Sequence, residues 1–151
     1  MSNTADTVGC SGGIGGFGPG LRIVTVMTLE TGLSGTAELE VTDADTAIAL
    51  RSGDVPVLGT PRLIALCEEA TLVALEGNIA EGCSSVGVRV QIEHISPTAV
   101  GRRVVAEAHL EKIEGRRLVF SVSAKDDRGL VAAGKVTRVM VELERFLEKA
   151  R

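Results

Sequence analysis

A glutamate, a histidine and a threonine stand out as groups able to do acid–base chemistry, because their surroundings differ from those of other residues of the same type. Glu68 and Glu69 are neighbours within the breaker-free run from Leu63 to Leu75. On a helical wheel, Leu63, Cys67, Ala70 and Ala74 centre an apolar arc flanked by Ile64, Thr71 and Leu75, and Arg62 and Glu69 fall on the opposite side. Glu68 lies beside Ile64 and Leu75 at the border of the arc, where partial desolvation makes a carboxylate a better base. Taken alone, a glutamate at an amphipathic edge that reaches solvent is the simpler account of the position. His94 continues the row Val86, Val88, Val90 and Ile92 just before the turn residues Ser96-Pro97-Thr98, so an imidazole closes an apolar row. A satisfied core histidine is the simpler account of that residue by itself. His109 shares a face with Glu107 and Glu111 and reads as a solvated strand residue.

Other chemistries find less support. There is no GxSxG elbow and no recognisable Ser/His/Asp spacing, which argues against a serine hydrolase. Cys67 falls on the buried arc and reads as packing. Gly13, Gly15 and Gly18 spell GxGxxG, but no strand precedes them and the strand-like Leu21 to Val26 follows where a dinucleotide site needs a helix.

The elements that must position these groups follow from periodicity. Residues 1–20 are rich in Gly, Ser and Thr and are expected to be a mobile tail ahead of a single domain over 21–151. Leu21 to Leu29 reads as an extra edge strand or a continuation of the tail. Thr36 to Thr42 alternates like a half-buried strand. Thr60 is a suitable N-cap and Pro61 a suitable first helical residue, so a long helix is expected from there to Leu75, ended by Gly77. Period-two rows then follow: Val86 to Ile92, Val104 to Leu110 and Leu118 to Ala124, with Leu130 to Val141 as a fourth strand. Glu114-Gly115 and Asp126-Asp127-Arg128-Gly129 supply hairpin turns, and a short charged helix closes the chain from Glu142 to Lys149. Strand, long helix and a four-stranded meander make an α+β layer, and an early helix wrapped by an antiparallel sheet is the hotdog arrangement.

Composition narrows the partners. The 151 residues are 44% hydrophobic, enough for one well-filled core, and the net charge is −4 with no basic stretch, so nucleic acid is not expected. Three Phe with no Trp or Tyr leave aliphatic walls and backbone to grip a ligand. The pairs Arg102-Arg103 and Arg116-Arg117 read as solvated charges at strand starts, with contact to the phosphates of a ligand as the alternative. Cys10, Cys67 and Cys83 are far apart and odd in number, which reads as free thiols in a reducing compartment with no metal site. No segment is apolar for long enough to span a membrane and no signal-peptide order is present, so a cytoplasmic protein is expected.

The segment Thr60-Pro-Arg-Leu-Ile-Ala-Leu-Cys-Glu68, then Gly87-Val-Arg-Val-Gln-Ile-Glu-His94 and Pro97-Thr-Ala-Val-Gly101, resembles the fluoroacetyl-CoA thioesterase family of hotdog proteins over about residues 36–147. The resemblance rests on a Thr at the helix start, a Glu eight residues later, and a Gly and a His seven apart on the next strand. It implies that Thr60, Glu68 and His94 form a catalytic trio, that Gly87 and Ile64 line the substrate site, and that no cofactor is needed. It also implies an acyl-CoA substrate and a homodimer, or a dimer of dimers, with the pocket at the interface. The family's fluoroacetate-selective members gate the pocket with aromatic residues, whereas this chain has none between Phe17 and Phe120, so that selectivity is not expected here. Two other functions stay open at this point: a non-catalytic acyl-CoA-binding module, and an enoyl-CoA hydratase. The first would bind CoA esters unchanged by Glu68→Ala, and the second would act on crotonyl-CoA.

Overall fold

The computed structural model describes residues 6–9 and 26–151. The GxGxxG segment and most of the expected tail lie outside them. Within that tail, β1 (Asp6–Gly9) pairs antiparallel with β2 (Val26–Leu29) as a two-stranded sheet. The rest of the chain runs β3 (Ser34–Glu40), a 3-10 turn at Asp43–Asp45, α1 (Thr60–Leu75), β4 (Cys83–His94), β5 (Arg103–Glu114), β6 (Arg117–Asp126), β7 (Gly129–Glu142) and α2 (Leu143–Lys149). β3 to β7 form one antiparallel sheet in the order β3-β5-β6-β7-β4.

That order corrects the four-stranded meander expected from sequence. β5, β6 and β7 are joined by tight turns, with Gly115 and Gly129 in the left-handed region that a two-residue turn demands. The 95–102 connection is longer than a tight hairpin, and it carries the chain from β4 at one edge, beside β7, to β5 at the far side. On its way Ala99 bridges Val57, and the Leu58 N–H donates to the Thr98 carbonyl at 2.9 Å, so this crossing is tied to the segment that leads into α1.

α1 lies across the sheet. Its buried residues Leu63, Leu66, Cys67, Ala70, Thr71, Ala74 and Leu75 recur at three- and four-residue intervals and cover Val104, Ala106, Ala108 and Leu110 of β5 and Leu118, Phe120, Val122 and Ala124 of β6. Helix and β3 approach closely because Gly35 has no side chain: a Cβ there would sit 2.4 Å from the Ala74 amide nitrogen. The helix begins one residue earlier than the cap assignment expected. Gly59 is the N-cap and Thr60 the first helical residue, with the Gly59 carbonyl accepting from the Arg62 and Leu63 amides at 3.1 Å. The Thr60 hydroxyl is therefore not used to cap the helix.

β4 departs from a regular strand at one point. Gly87 pairs with Arg138 and Arg89 with Thr137, so Val88 is an extra residue, a β-bulge. One inserted residue reverses the alternation of faces. Before it Ser85 and Gly87 face α1; after it Val90, Ile92 and His94 do, opposite Val136, Gly134 and Ala132. Val88 is 49% exposed. The single apolar face expected for Val86, Val88, Val90 and Ile92 thus fails at Val86 and Val88.

The free-thiol reading also needs correction. Cys67 is free and buried, but Cys83 at the start of β4 is disulfide-bonded, a pairing that spacing along the chain cannot report. No helix among the described residues is long and apolar enough to cross a membrane.

Candidate active site

Two groups of polar side chains lie on the seam between α1 and β4. At the N-terminal end of the helix, the Thr60 hydroxyl and His94 Nδ1 are 2.9 Å apart. β4 ends at His94, and the bulge at Val88 is what turns the imidazole toward the helix. His94 Nε2 is buried without a hydrogen-bond partner among the described residues. Burial of the ring pushes its pKa below 6.5, against a backbone hydrogen bond at Ser96 that works the other way. At neutral pH the imidazole is uncharged, and can take a proton from the hydroxyl or hold one for delivery.

The second group centres on Glu68, two helical turns further on. Its Oε2 is 3.2 Å from Nη1 of Arg138 on β7. The arginine is almost fully enclosed, 7% exposed against 34% for the glutamate. Two more of its donors go to Ser85 of β4: Nε to the hydroxyl and Nη2 to the backbone carbonyl, both at 2.9 Å. Gly87, paired with Arg138, completes the cradle, since a Cβ there would lie 2.6 Å from Oε2 of Glu68.

Glu69 has a separate setting. Exposed on the outer side of α1, it pairs with Arg62 at 3.2 Å, and Arg62 reaches Asp45 at 3.3 Å. The distinction drawn on the wheel between the adjacent carboxylates therefore holds. Ile64 is half-buried, one turn before Glu68. Cys67 is fully buried and its thiol is pushed up to about 11, first by desolvation and then by the charge of Glu68, so it stays a thiol and packs. His109 is half exposed and contacts Glu107 at 2.8 Å. Arg102 is held by Asp127 at 2.6 Å and Arg103 by Glu38, as expected of edge charges.

Sequence reasoning therefore singled out four residues that the fold places on this seam, Thr60, Glu68, Gly87 and His94, and missed two, Ser85 and Arg138. Arg138 sits in the alternating row Ala132, Gly134, Val136 and Met140 as one charge among apolar residues on a strand otherwise read as core. An arginine in such a row was the available signal, because a buried cation needs a partner.

A curled antiparallel sheet around one helix, with a carboxylate and a hydroxyl–imidazole pair on the helix–sheet seam, defines a hotdog hydrolase, and comparison with known proteins agrees. The sequence model of the fluoroacetyl-CoA-specific thioesterase family matches residues 41–144. The fluoroacetyl-CoA thioesterase of Streptantibioticus cattleyicolor is 33% identical over 95 residues, 63% of this chain and 68% of that one. A solved structure of a fluoroacetyl-CoA thioesterase superposes with a TM-score of 0.77 at 28% identity, covering 82% of this chain and 96% of the other. A variant of that enzyme in complex with fluoroacetate and CoA gives 0.73 at 27% identity, over 78% and 99% of the two chains. A hot-dog-like protein from Thermanaerovibrio acidaminovorans gives 0.73 at 26%, over 80% and 89%. The chain belongs to the fluoroacetyl-CoA-specific thioesterase family, and it is a thioester hydrolase of the hotdog fold.

Proposed function

We propose that this hydrolase cleaves an acyl-CoA thioester to a carboxylic acid and CoA, with Thr60, Glu68 and His94 as its working groups. The observation that carries the reading is the 2.9 Å pairing of the Thr60 hydroxyl with a neutral, half-buried imidazole at the mouth of α1, two turns from a recessed carboxylate. Water, activated by Glu68 as a base, adds to the thioester carbonyl, or the Glu68 carboxylate adds first and water then hydrolyses the anhydride. The C–S bond breaks and His94 manages the proton that the CoA thiolate takes up. The first-turn amides of α1 and the positive end of the helix stabilise charge on the carbonyl oxygen, and Thr60 and Ile64 orient the acyl group. The chain lacks aromatic residues between Phe17 and Phe120, so the acyl group is bounded by aliphatic side chains and fluoroacetyl selectivity is not carried over.

The working site is completed across a homodimer. Within one chain Glu68 bonds to Arg138, and Thr60 and His94 bond to each other. Eight helical residues separate the two groups by about 12 Å along the axis, too far for one carbonyl to meet both. A twofold mate laid against β4, which is the last strand of the sheet among the described residues and carries the exposed Val88, would bring Glu68 of one chain to the Thr60–His94 pair of the other.

The decisive test is release of free thiol from acetyl-, propionyl-, medium-chain and aryl-acetyl-CoA by the purified protein. Turnover of at least one ester is expected, and no turnover above buffer with any of them would overturn the reading. Composite sites are checked by mixing and refolding two inactive variants, Glu68→Gln and His94→Ala. A mixed dimer regains one intact site if the groups come from different chains, and none if they come from the same chain.

A further inference from the structure

The sheet carries a part of the site that no spacing motif reported. We infer that Arg138 is a positioning residue for Glu68: it engages Oε2 and leaves Oε1 as the oxygen that meets the reactants. The inference rests on the thioesterase reading above and adds the device that aims its carboxylate.

The case begins with the arginine itself. A guanidinium only 7% exposed must have its donors satisfied, and two of the three bonds it makes go to Ser85 on the neighbouring strand, one to the hydroxyl and one to the backbone carbonyl. A planar fork held at two points has little freedom left, so the third bond, from Nη1 to Oε2 of Glu68, has a set direction. The helix supplies the carboxylate and the sheet supplies a fixed partner for one of its oxygens.

Gly87 shows that the fit is specific to one oxygen. Oε2 fills the space where a Cβ of residue 87 would stand, 2.6 Å away, with Arg138 Nη1 3.7 Å from the same point. Oε2 is thus enclosed between a strand backbone and a guanidinium. Among the described residues Oε1 has no hydrogen-bond partner, and the Glu68 side chain is still 34% exposed. The bulge at Val88 joins these features, because it lies between the Gly87–Arg138 and Arg89–Thr137 pairs and turns the strand where the carboxylate meets it. A simple helix-to-sheet staple would need the ion pair but neither the missing side chain nor the double anchorage on Ser85.

The test compares kcat, KM and Tm for the wild type, Arg138→Lys, Ser85→Ala, Glu68→Gln and the double variant Glu68→Gln/Arg138→Lys, on one CoA ester the wild type hydrolyses. Lysine keeps the charge but not the fork, so Arg138→Lys should lower kcat about 10- to 100-fold with KM within about threefold, the size expected of a misplaced reacting group. Ser85→Ala removes one anchor and keeps the carbonyl anchor, so a loss of about 3- to 10-fold in kcat is expected, and this variant carries the test if Arg138→Lys does not fold. In the Glu68→Gln background, Arg138→Lys should change the residual rate less than about twofold, because a residue that works through Glu68 has nothing left to position. Losses that multiply in the double variant, a loss confined to KM, or a lowered Tm with the kcat of the folded protein intact would each overturn the inference and leave the thioesterase reading standing. A wild type that hydrolyses no CoA ester would overturn that reading and this inference with it.

Discussion

The Gly87→Ala substitution tests the placement of Glu68 with a single methyl group. In the wild type the point where that methyl would stand is 2.6 Å from Oε2 of Glu68, and ordinary contact begins near 3.4 Å. The carboxylate must therefore retreat by about 0.8 Å, since the strand backbone is held by its pairing with β7 and the glutamate side chain is the softer element. A displacement of about 1 Å in a reacting group costs up to about 100-fold in rate, so kcat should fall about 10- to 100-fold. Stability should hardly change. Gly87 lies outside the left-handed region, so alanine fits its backbone, and a Gly to Ala change at a compatible site stabilises by about 0.4–1 kcal/mol through the unfolded chain. That gain offsets a weakened contact between Glu68 and Arg138, and Tm should stay within about 3 °C. Thiol release under saturating CoA ester, with a thermal melt of the same preparation, reads both quantities. Wild-type kcat in a folded Gly87→Ala protein would show that the carboxylate is not where the chemistry happens, and a Tm lowered by about 10 °C or more would show that the argument from flexible side chain and stiff strand is wrong.

Glu68→Gln should lower kcat at least about 100-fold with folding intact, whereas Glu69→Gln, which removes only the exposed contact to Arg62, should change it less than about twofold; the reverse pattern in the thiol assay would refute the assignment of the trio. Gly35→Ala drives a methyl into the α1 backbone at Ala74 and Ala70, where neither side can yield, so a loss of about 1–3 kcal/mol and a Tm lower by about 3–10 °C are expected, and an unchanged melt would show that helix and β3 are not in this contact. His94 is protonated near pH 6.5 in the unfolded chain and at lower pH in the folded one, so its contribution to stability is full above 6.5 and is lost as pH falls from there toward the folded pKa. The difference in Tm between wild type and His94→Gln should therefore shrink from pH 8 to pH 5, and a difference that stays constant would mean the imidazole is not held neutral by burial.

Much of the local structure was legible before any coordinates. A helix period and its face depend on side chains a few residues apart, so the run from Leu63 to Leu75 specified both the buried arc and the different settings of Glu68 and Glu69. The turns at Gly115 and Gly129 were likewise local, because they need residues that tolerate a positive φ. Thr60, Glu68, Gly87 and His94 could be picked out by type and spacing, and the family resemblance drew them together.

How those residues face one another was decided only by the tertiary structure. Gly87 and His94 are seven apart, an odd number, and on a regular strand they would point to opposite faces. They share the helix-facing side because Val88 is bulged, and a bulge is a mismatch between two strands, here β4 and a β7 that lies some fifty residues further along the chain. Arg138 is 70 residues from Glu68, and the single charge in its apolar row gave no hint of which carboxylate it would meet. The place of β4 beside β7, which brings Ser85 to Arg138, and the disulfide at Cys83 are of the same kind. Periodicity records what each residue does relative to its own backbone, whereas register, strand order and ion pairs across the sheet are set by contacts between distant segments and exist only once the chain has closed on itself.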